Sequence, residues 1–181
     1  MRGLRRVVLT GGECTGKTTL ARALAGRWQT AWAAEAAREV ALAHPSALGP
    51  EDVPLIARTH VRLAAEAARA AAEAGRTLVF FDQDLVSTVV YARHYYGACP
   101  HWIERLAAER RGDLYLLCAP DLPWKSDGVR DRPVAREEIH ALFAAALAAA
   151  GARVVDVSGN GSARETIAAG AVDAFLKENA V

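Results

Sequence analysis

An α/β fold, with a parallel sheet carrying helices on both faces, is what the sequence predicts, and three observations predict it. Short apolar runs alternate with longer stretches of helical period along nearly the whole chain, the pattern of consecutive βα units. The first run, Val7-Val8-Leu9, is continuously apolar, as expected for a strand buried on both faces. It passes directly into Gly11-Gly12-Glu13-Cys14-Thr15-Gly16-Lys17-Thr18, a glycine-rich loop that opens a helix.

The first strand spans Arg5 to Thr10, and from Lys17 the period turns helical, with Leu20, Leu24 and Trp28 on one stripe through Arg27. A second short strand is expected over Thr30 to Ala34, with Glu35, Arg38 and Glu39 just beyond its carboxyl end. Pro45, Gly49 and Pro50 signal a turn. A long Ala-rich helix then begins near Glu51-Asp52, whose carboxylates suit a helix N-terminus, and stops at Gly75. Thr77 to Phe81 reads as the third strand and ends in Asp82-Gln83-Asp84. If the extended geometry persists, Asp82 and Asp84 project to the same side, roughly 6.5 Å apart. Helices are expected over Leu85 to Tyr96 and from Pro100, a good first helical residue, to about Arg111. Asp113 to Cys118 is the fourth strand, Asp121 to Arg132 an irregular polar segment, and Val134 to Ala150 a helix started by Pro133 and stopped by Gly151. Arg153 to Val157 is the fifth strand. Ser162-Ala163-Arg164-Glu165 has the form of a capping box for a last helix that carries Ile167, Ala171, Ala174, Phe175 and Leu176.

The 181 residues suffice for one well-cored domain, and no Pro/Ser/Gly-rich linker divides them, so residues 1–181 are expected to form a single domain. The net charge of +1, with both signs interspersed, demands no broad electropositive face, which makes nucleic acid a poor candidate partner. Of the 22 basic residues 19 are Arg, which leaves Lys17, Lys125 and Lys177 as the lysines. Cys14, Cys99 and Cys118 show no C-x-x-C pair or metal-ligand spacing and read as reduced thiols of a cytoplasmic protein. Cys14 sits where a helix N-terminus could make a thiol oxidisable, although a small filler residue is the commoner role. His44, His60, His94, His101 and His140 are scattered and carry no assigned role. The longest apolar stretch, Ala141 to Ala150, is far short of a membrane span, and the apolar segment behind Arg2, Arg5 and Arg6 is too short for a signal peptide.

The Gly11 to Thr18 loop is of the G-x-x-x-x-G-K-[ST] type, in which backbone N–H groups and a helix start meet a polyphosphate. Its glycines allow the backbone to close on the anion, Lys17 supplies a point charge to the outer phosphates, and the Thr18 hydroxyl can ligate Mg²⁺. With Thr19 following, Gly11 through Thr19 form the expected ATP-binding stretch. Phosphoryl transfer needs positioning, charge neutralisation and a carboxylate for the acceptor's proton. Asp82, ending an apolar strand, suits the metal side, and Asp84 or Glu35 suits a substrate hydroxyl. The segment at about 120–133 has the content of a lid: Arg130, with Arg132 behind it, can reach a polyphosphate, and Trp124 can stack on a substrate ring. An ATP-driven switch without a small-molecule acceptor, and a kinase for another nucleoside, stay open at this point. A GTPase is disfavoured because the nearest thing to Asn-Lys-x-Asp is Trp124-Lys125-Ser126-Asp127, and a mechanical ATPase because Gln83 follows Asp82.

The stretch Gly11 to Leu20, Glu35-Ala-Ala-Arg38-Glu39, Phe81-Asp82-Gln83-Asp84 and Trp124-Lys-Ser-Asp127-Gly128-Val-Arg130 together resemble the nicotinamide riboside kinase domain of NadR-type proteins, in order and spacing over nearly the whole chain. The resemblance implies a P-loop NTPase three-layer α/β/α fold with sheet order 2-3-1-4-5. It also implies transfer of the ATP γ-phosphate to the 5′-hydroxyl of nicotinamide riboside, giving nicotinamide mononucleotide. By the same resemblance Lys17 and Thr18 serve ATP and Mg²⁺, Glu35, Asp82 and Asp84 surround substrate and metal, Arg38 joins the substrate side, and Trp124, Asp127 and Arg130 belong to the lid region. The family loop usually has Ser in place of Cys14, and often Ser at Thr15 and Thr18, a change that keeps the metal-ligating hydroxyl. The likeness does not extend to the adenylyltransferase and DNA-binding domains of full-length members, so neither activity is expected of these residues. A homo-oligomer is compatible with the sequence.

Overall fold

Val7, Val8 and Leu9 retain 0–1% of their solvent exposure because the strand that carries them is the middle one. In the computed structural model, which describes residues 3–43, 47–124 and 135–178, β1 (Arg5–Thr10) pairs in parallel with β3 (Leu78–Asp82) on one side and β4 (Leu114–Cys118) on the other. The two-residue β2 (Trp32–Ala33) lies beyond β3, and β5 (Val154–Val157) beyond β4, which gives the order β2-β3-β1-β4-β5. This is the sheet order that the resemblance implies.

Strand side chains alternate between faces, and the sheet divides its apolar residues accordingly. Val8, Phe81, Tyr115 and Leu117 pack with residues of α3 (Val53–Glu73), α4 (Leu85–Tyr96), α5 (His101–Glu109) and α6 (Arg136–Ala149). Val7, Leu9, Phe80, Leu114 and Leu116 pack on the opposite face against α1 (Lys17–Trp28) and α7 (Gly161–Glu178). Each fully buried Leu or Val on these faces contributes roughly 1.5–3 kcal/mol, which makes the double-sided core the main support of the layered architecture. Among the described residues no helix is long and apolar enough to cross a membrane.

Four local expectations are corrected. The second strand is shorter than Thr30 to Ala34, and Arg38 and Glu39 lie in a helix, α2 (Ala36–Ala43), that follows it. Only Ala36 and Val40 of α2 are buried and Leu42 is 77% exposed, so its sequence carries too narrow an apolar stripe to reveal a helix. Pro100 precedes α5, with ψ of 130°, and does not begin it. Ser162 lies inside α7 and forms no capping box. The carbonyl of Asn160 takes the N–H groups of Ala163 and Arg164 at 3.1 and 3.4 Å, while left-handed Gly159 and Gly161 turn the chain into the helix ahead of the serine. The expected helix starter Pro133 lies outside the described residues.

Candidate active site

The carboxyl ends of the strands carry the site, as expected for an open parallel sheet. Gly11 leaves β1 with φ of 125°, and a Cβ built on it would stand 2.7 Å from the Cys118 carbonyl oxygen at the end of β4. Gly11→Ala therefore meets both a disfavoured backbone conformation and a main-chain clash that no side-chain rotation relieves. It should cost about 2 kcal/mol or more of unfolding free energy in urea melts; a variant as stable as the parent would mean the loop does not press on β4 in solution.

Within the loop, Lys17 is 7% exposed and its ammonium donates to the Gly12 carbonyl at 2.6 Å and the Thr15 hydroxyl at 3.5 Å. The Thr15 hydroxyl in turn donates to Gly12 O at 3.0 Å. No side chain caps α1, so the N–H groups of its first turn have no internal partner and point out of the helix start, a ready anion site. Cys14 is left-handed, with φ of 54°, and its carbonyl accepts from Arg136 at 3.4 Å. Glu13, within the loop, accepts from the Tyr95 hydroxyl at 3.5 Å. Thr19 is exposed on α1.

The Thr18 hydroxyl donates to Asp82 Oδ2 at 2.5 Å. Asp82 is 1% exposed, and its Oδ1 has no hydrogen-bond partner among the described residues. Burial raises its carboxyl above the ordinary range, opposed by the Lys17 charge and reinforced by Glu35. An unpaired buried carboxylate oxygen beside a hydroxyl and a phosphate loop fits a divalent cation, which would offset that desolvation. Among the described residues there is no group of three or more His, Cys, Asp or Glu that could hold a metal, so such a cation would take its remaining ligands from phosphate and water.

Asp82 and Asp84 do not continue one extended strand. Gln83 has φ of 74°, and its side chain ties the turn down, accepting from the Thr10 hydroxyl at 3.4 Å and from the Ser87 hydroxyl while donating to Gly11 O at 3.3 Å. The chain therefore leaves strand geometry between the two aspartates, and they serve different partners. Asp84 caps α4: its Oδ1 accepts from Val86 and Ser87 N–H at 3.0 and 3.4 Å, and its Oδ2 from the Tyr115 hydroxyl at 2.6 Å. Burial pushes its carboxyl up to about 6 against those donors. Asp84 is thus the cap of the helix that follows, while Asp82 faces Thr18.

Between α2, α3 and α4, next to the loop, lies a cavity of about 310 Å³. That is within the range of about 300–1,000 Å³ usual for small-molecule sites. Glu35, Gln83, Asp84 and Ser87 face it at the sheet end, with His60, Tyr91 and Tyr95 from the helices. Tyr91 and Tyr95 stack at 5.8 Å and 6°, and Tyr91 meets Phe143 edge-on at 5.5 Å, so the aromatic wall is rigidly backed. The Glu35 side chain is 12% exposed, with the Arg38 guanidinium at 4.0 Å and 48% exposed. Lys17, Thr18, Asp82, Glu35 and Asp84 are brought together around the loop and this cavity. Trp124 is not among the residues lining the cavity; its indole Nε1 is buried and has no partner among the described residues. Asp127, Arg130 and Arg132, with most of the expected lid, lie outside the described residues.

Sequence reasoning missed His60, Tyr91, Tyr95, Tyr115, Arg136 and Arg164. The first three sit at helical spacings that serve core packing equally well, Tyr115 is an ordinary strand residue until Asp84 is placed beside it, and the two arginines are indistinguishable from the other 17 in composition.

A family model described as an AAA domain matches residues 6–164. The trifunctional NAD biosynthesis/regulator protein NadR of Escherichia coli (strain K12) is 31% identical over 130 residues, which cover 70% of this chain and 31% of that protein. Among solved structures, a NadR protein in complex with NR matches with a TM-score of 0.75 and 25% identity over 98% of this chain and 52% of that one. A NadR protein in complex with NAD and AMP-PNP matches with a TM-score of 0.72 and 25% identity over 98% of this chain and 50% of that one. The chain thus spans about half the length of the NadR chains in these structures and less than a third of the curated relative.

Proposed function

The chain belongs to the AAA domain family, with the phosphate-loop fold of the NadR type, and from that footing we propose that it is an ATP-dependent kinase that phosphorylates the 5′-hydroxyl of nicotinamide riboside. The observation that carries the reading is the cavity of about 310 Å³ set beside the phosphate loop and joined to it through Tyr95 and Glu13. A loop alone binds a nucleoside triphosphate, whereas a loop with an adjoining aromatic-walled pocket has a place for an acceptor. The similarity to NadR, solved in complex with NR and separately with NAD and AMP-PNP, supports the choice of acceptor and donor.

In this reading the N–H groups of Gly11 to Thr18 and the Lys17 ammonium hold the β- and γ-phosphates, and the roles expected of Arg130 and Arg132 toward the phosphates, and of Trp124 and Asp127 toward the acceptor, complete the site. Thr18 and Asp82 would hold Mg²⁺, which when bound neutralises charge on the outer phosphates. The acceptor's hydroxyl proton goes to Glu35. Its carboxylate lines the cavity with the Arg38 guanidinium beside it, whereas the Asp84 carboxylate accepts from three donors as the cap of α4. Asp84 holds the cavity floor at the α4 N-terminus and Arg38 orients Glu35.

The two carboxylates can be separated by kinetics. Glu35→Gln should reduce kcat by about 10²–10⁴-fold with ATP affinity retained, and Asp84→Asn should reduce it less. The reverse ranking would move the base to Asp84. The acceptor itself is tested by coupled ADP release over a panel of nucleosides that includes nicotinamide riboside. Stimulation by nicotinamide riboside above the other nucleosides supports the reading; ATP hydrolysis that no nucleoside stimulates would replace it with an ATP-driven switch.

A further inference from the structure

Arg164 is 3% exposed, on the first turn of α7. A cation there faces the positive end of a helix dipole and has lost its hydration, so the position disfavours it twice over. What offsets the cost is its set of acceptors, drawn from three separate loops. Nε donates to Gly159 O at 2.8 Å, one terminal nitrogen to Thr15 O inside the phosphate loop at 2.8 Å, and the other to Ala119 O at 3.2 Å and to the Asp121 carboxylate. Asp121 also accepts from Gly159 N–H at 2.6 Å, so it braces the same loop from the other side.

These loops follow β1, β4 and β5, and they are the strand ends on the side of the phosphate loop opposite to β2 and β3. The acceptor cavity lies on the β2–β3 side. With that side given to the acceptor, a nucleotide held by its phosphates in Gly11 to Thr18 would extend its nucleoside end over the loops that follow β4 and β5. We propose that Arg164 is a positioning residue for the donor nucleotide: its planar fork bonds the phosphate loop to the loops beneath the nucleoside, so that both halves of the donor are met by a preset surface. This role rests on the reading that the loop binds ATP, and it calls for an arginine in particular. The guanidinium spreads its N–H groups over three carbonyls and one carboxylate, four acceptors in all, whereas a lysine ammonium offers three N–H groups from a single point.

The test is isothermal titration of the full chain with ATP and, separately, with tripolyphosphate, for the wild type, Arg164→Lys and Asp121→Asn, below the melting temperature of each. Arg164→Lys should weaken ATP binding by about ten- to a hundred-fold, and Asp121→Asn by a smaller factor. Tripolyphosphate should lose less in both variants, because it touches only the phosphate loop. A lower melting temperature with unchanged ATP affinity would make Arg164 a stability residue and overturn the proposal, as would equal losses for ATP and tripolyphosphate. If Arg164→Lys does not fold, Asp121→Asn decides between the same two outcomes. A wild-type chain that binds neither ligand overturns the phosphate-loop reading itself, and this inference with it.

Discussion

Replacing Lys17 by alanine is expected to lower kcat/KM for phosphoryl transfer by about a thousand-fold or more, with the fold retained. The ammonium is 7% exposed and bonded to the Gly12 carbonyl and the Thr15 hydroxyl, so it sits inside the loop that meets the phosphates. In a buried site, charge developing on the transferring group is stabilised by fixed cations more strongly than water could manage. The loss should appear in kcat as well as in ATP affinity, because the lysine meets more negative charge in the transition state than in bound ATP. Circular dichroism should be unchanged, since the residue is on the first turn of α1 and the apolar face of that helix stays intact. ADP release at wild-type rates would remove the loop from the mechanism.

Between about pH 4 and 6.5 two buried groups should contribute opposing slopes to the pH dependence of stability, and two single variants should separate them. Burial, helped by the Arg6 charge, lowers the His60 imidazole from 6.5 to about 4. In that interval the unfolded chain takes up a proton that the folded chain refuses, so this residue makes stability rise with pH. Burial raises the Asp84 carboxyl from 3.8 to about 6, against the Tyr115 hydroxyl, the Ser87 and Val86 N–H groups and the Arg6 charge. Here the folded chain keeps a proton that the unfolded chain has released, so stability falls as pH rises from 3.8 to about 6. Each effect is worth about 3 kcal/mol at its full extent, with opposite sign. Asp84→Asn should therefore uncover a chain about 3 kcal/mol more stable at pH 7 than at pH 4, and His60→Gln the reverse trend over the same range. Urea melts at closely spaced pH values, in chelator and without nucleotide, read this directly. Parallel profiles for all three proteins would mean that neither group is buried as described.

The same pair illustrates how much of the site was legible in the sequence. Asp84 was visible as a carboxylate beyond an apolar strand, because such residues stand out against the four hydrophobic residues Leu78 to Phe81. Its occupation by Tyr115 was not, since Tyr115 lies 31 positions later on a strand that meets Asp84 only across the sheet. The left-handed turn at Gln83 was hidden for a different reason: a glutamine carries no turn signal, and its φ of 74° is imposed by bonds to Thr10, Gly11 and Ser87. Alternation was a sound rule applied one residue past the strand's end. Arg164 was read as the middle of a capping box that the left-handed glycines at 159 and 161 displace.

By itself the sequence determined the layered α/β architecture and the strand–loop–helix order around Gly11 to Thr18, because burial pattern and glycine spacing are local and periodic. The tertiary structure alone decided that Asp82 faces Thr18 while Asp84 caps a helix, that Glu35 shares a pocket with His60, Tyr91 and Tyr95, and that Arg164 reaches three loops. Those relations join residues separated by tens of positions. They follow from how strand ends converge when the sheet is assembled, and no local propensity encodes that convergence.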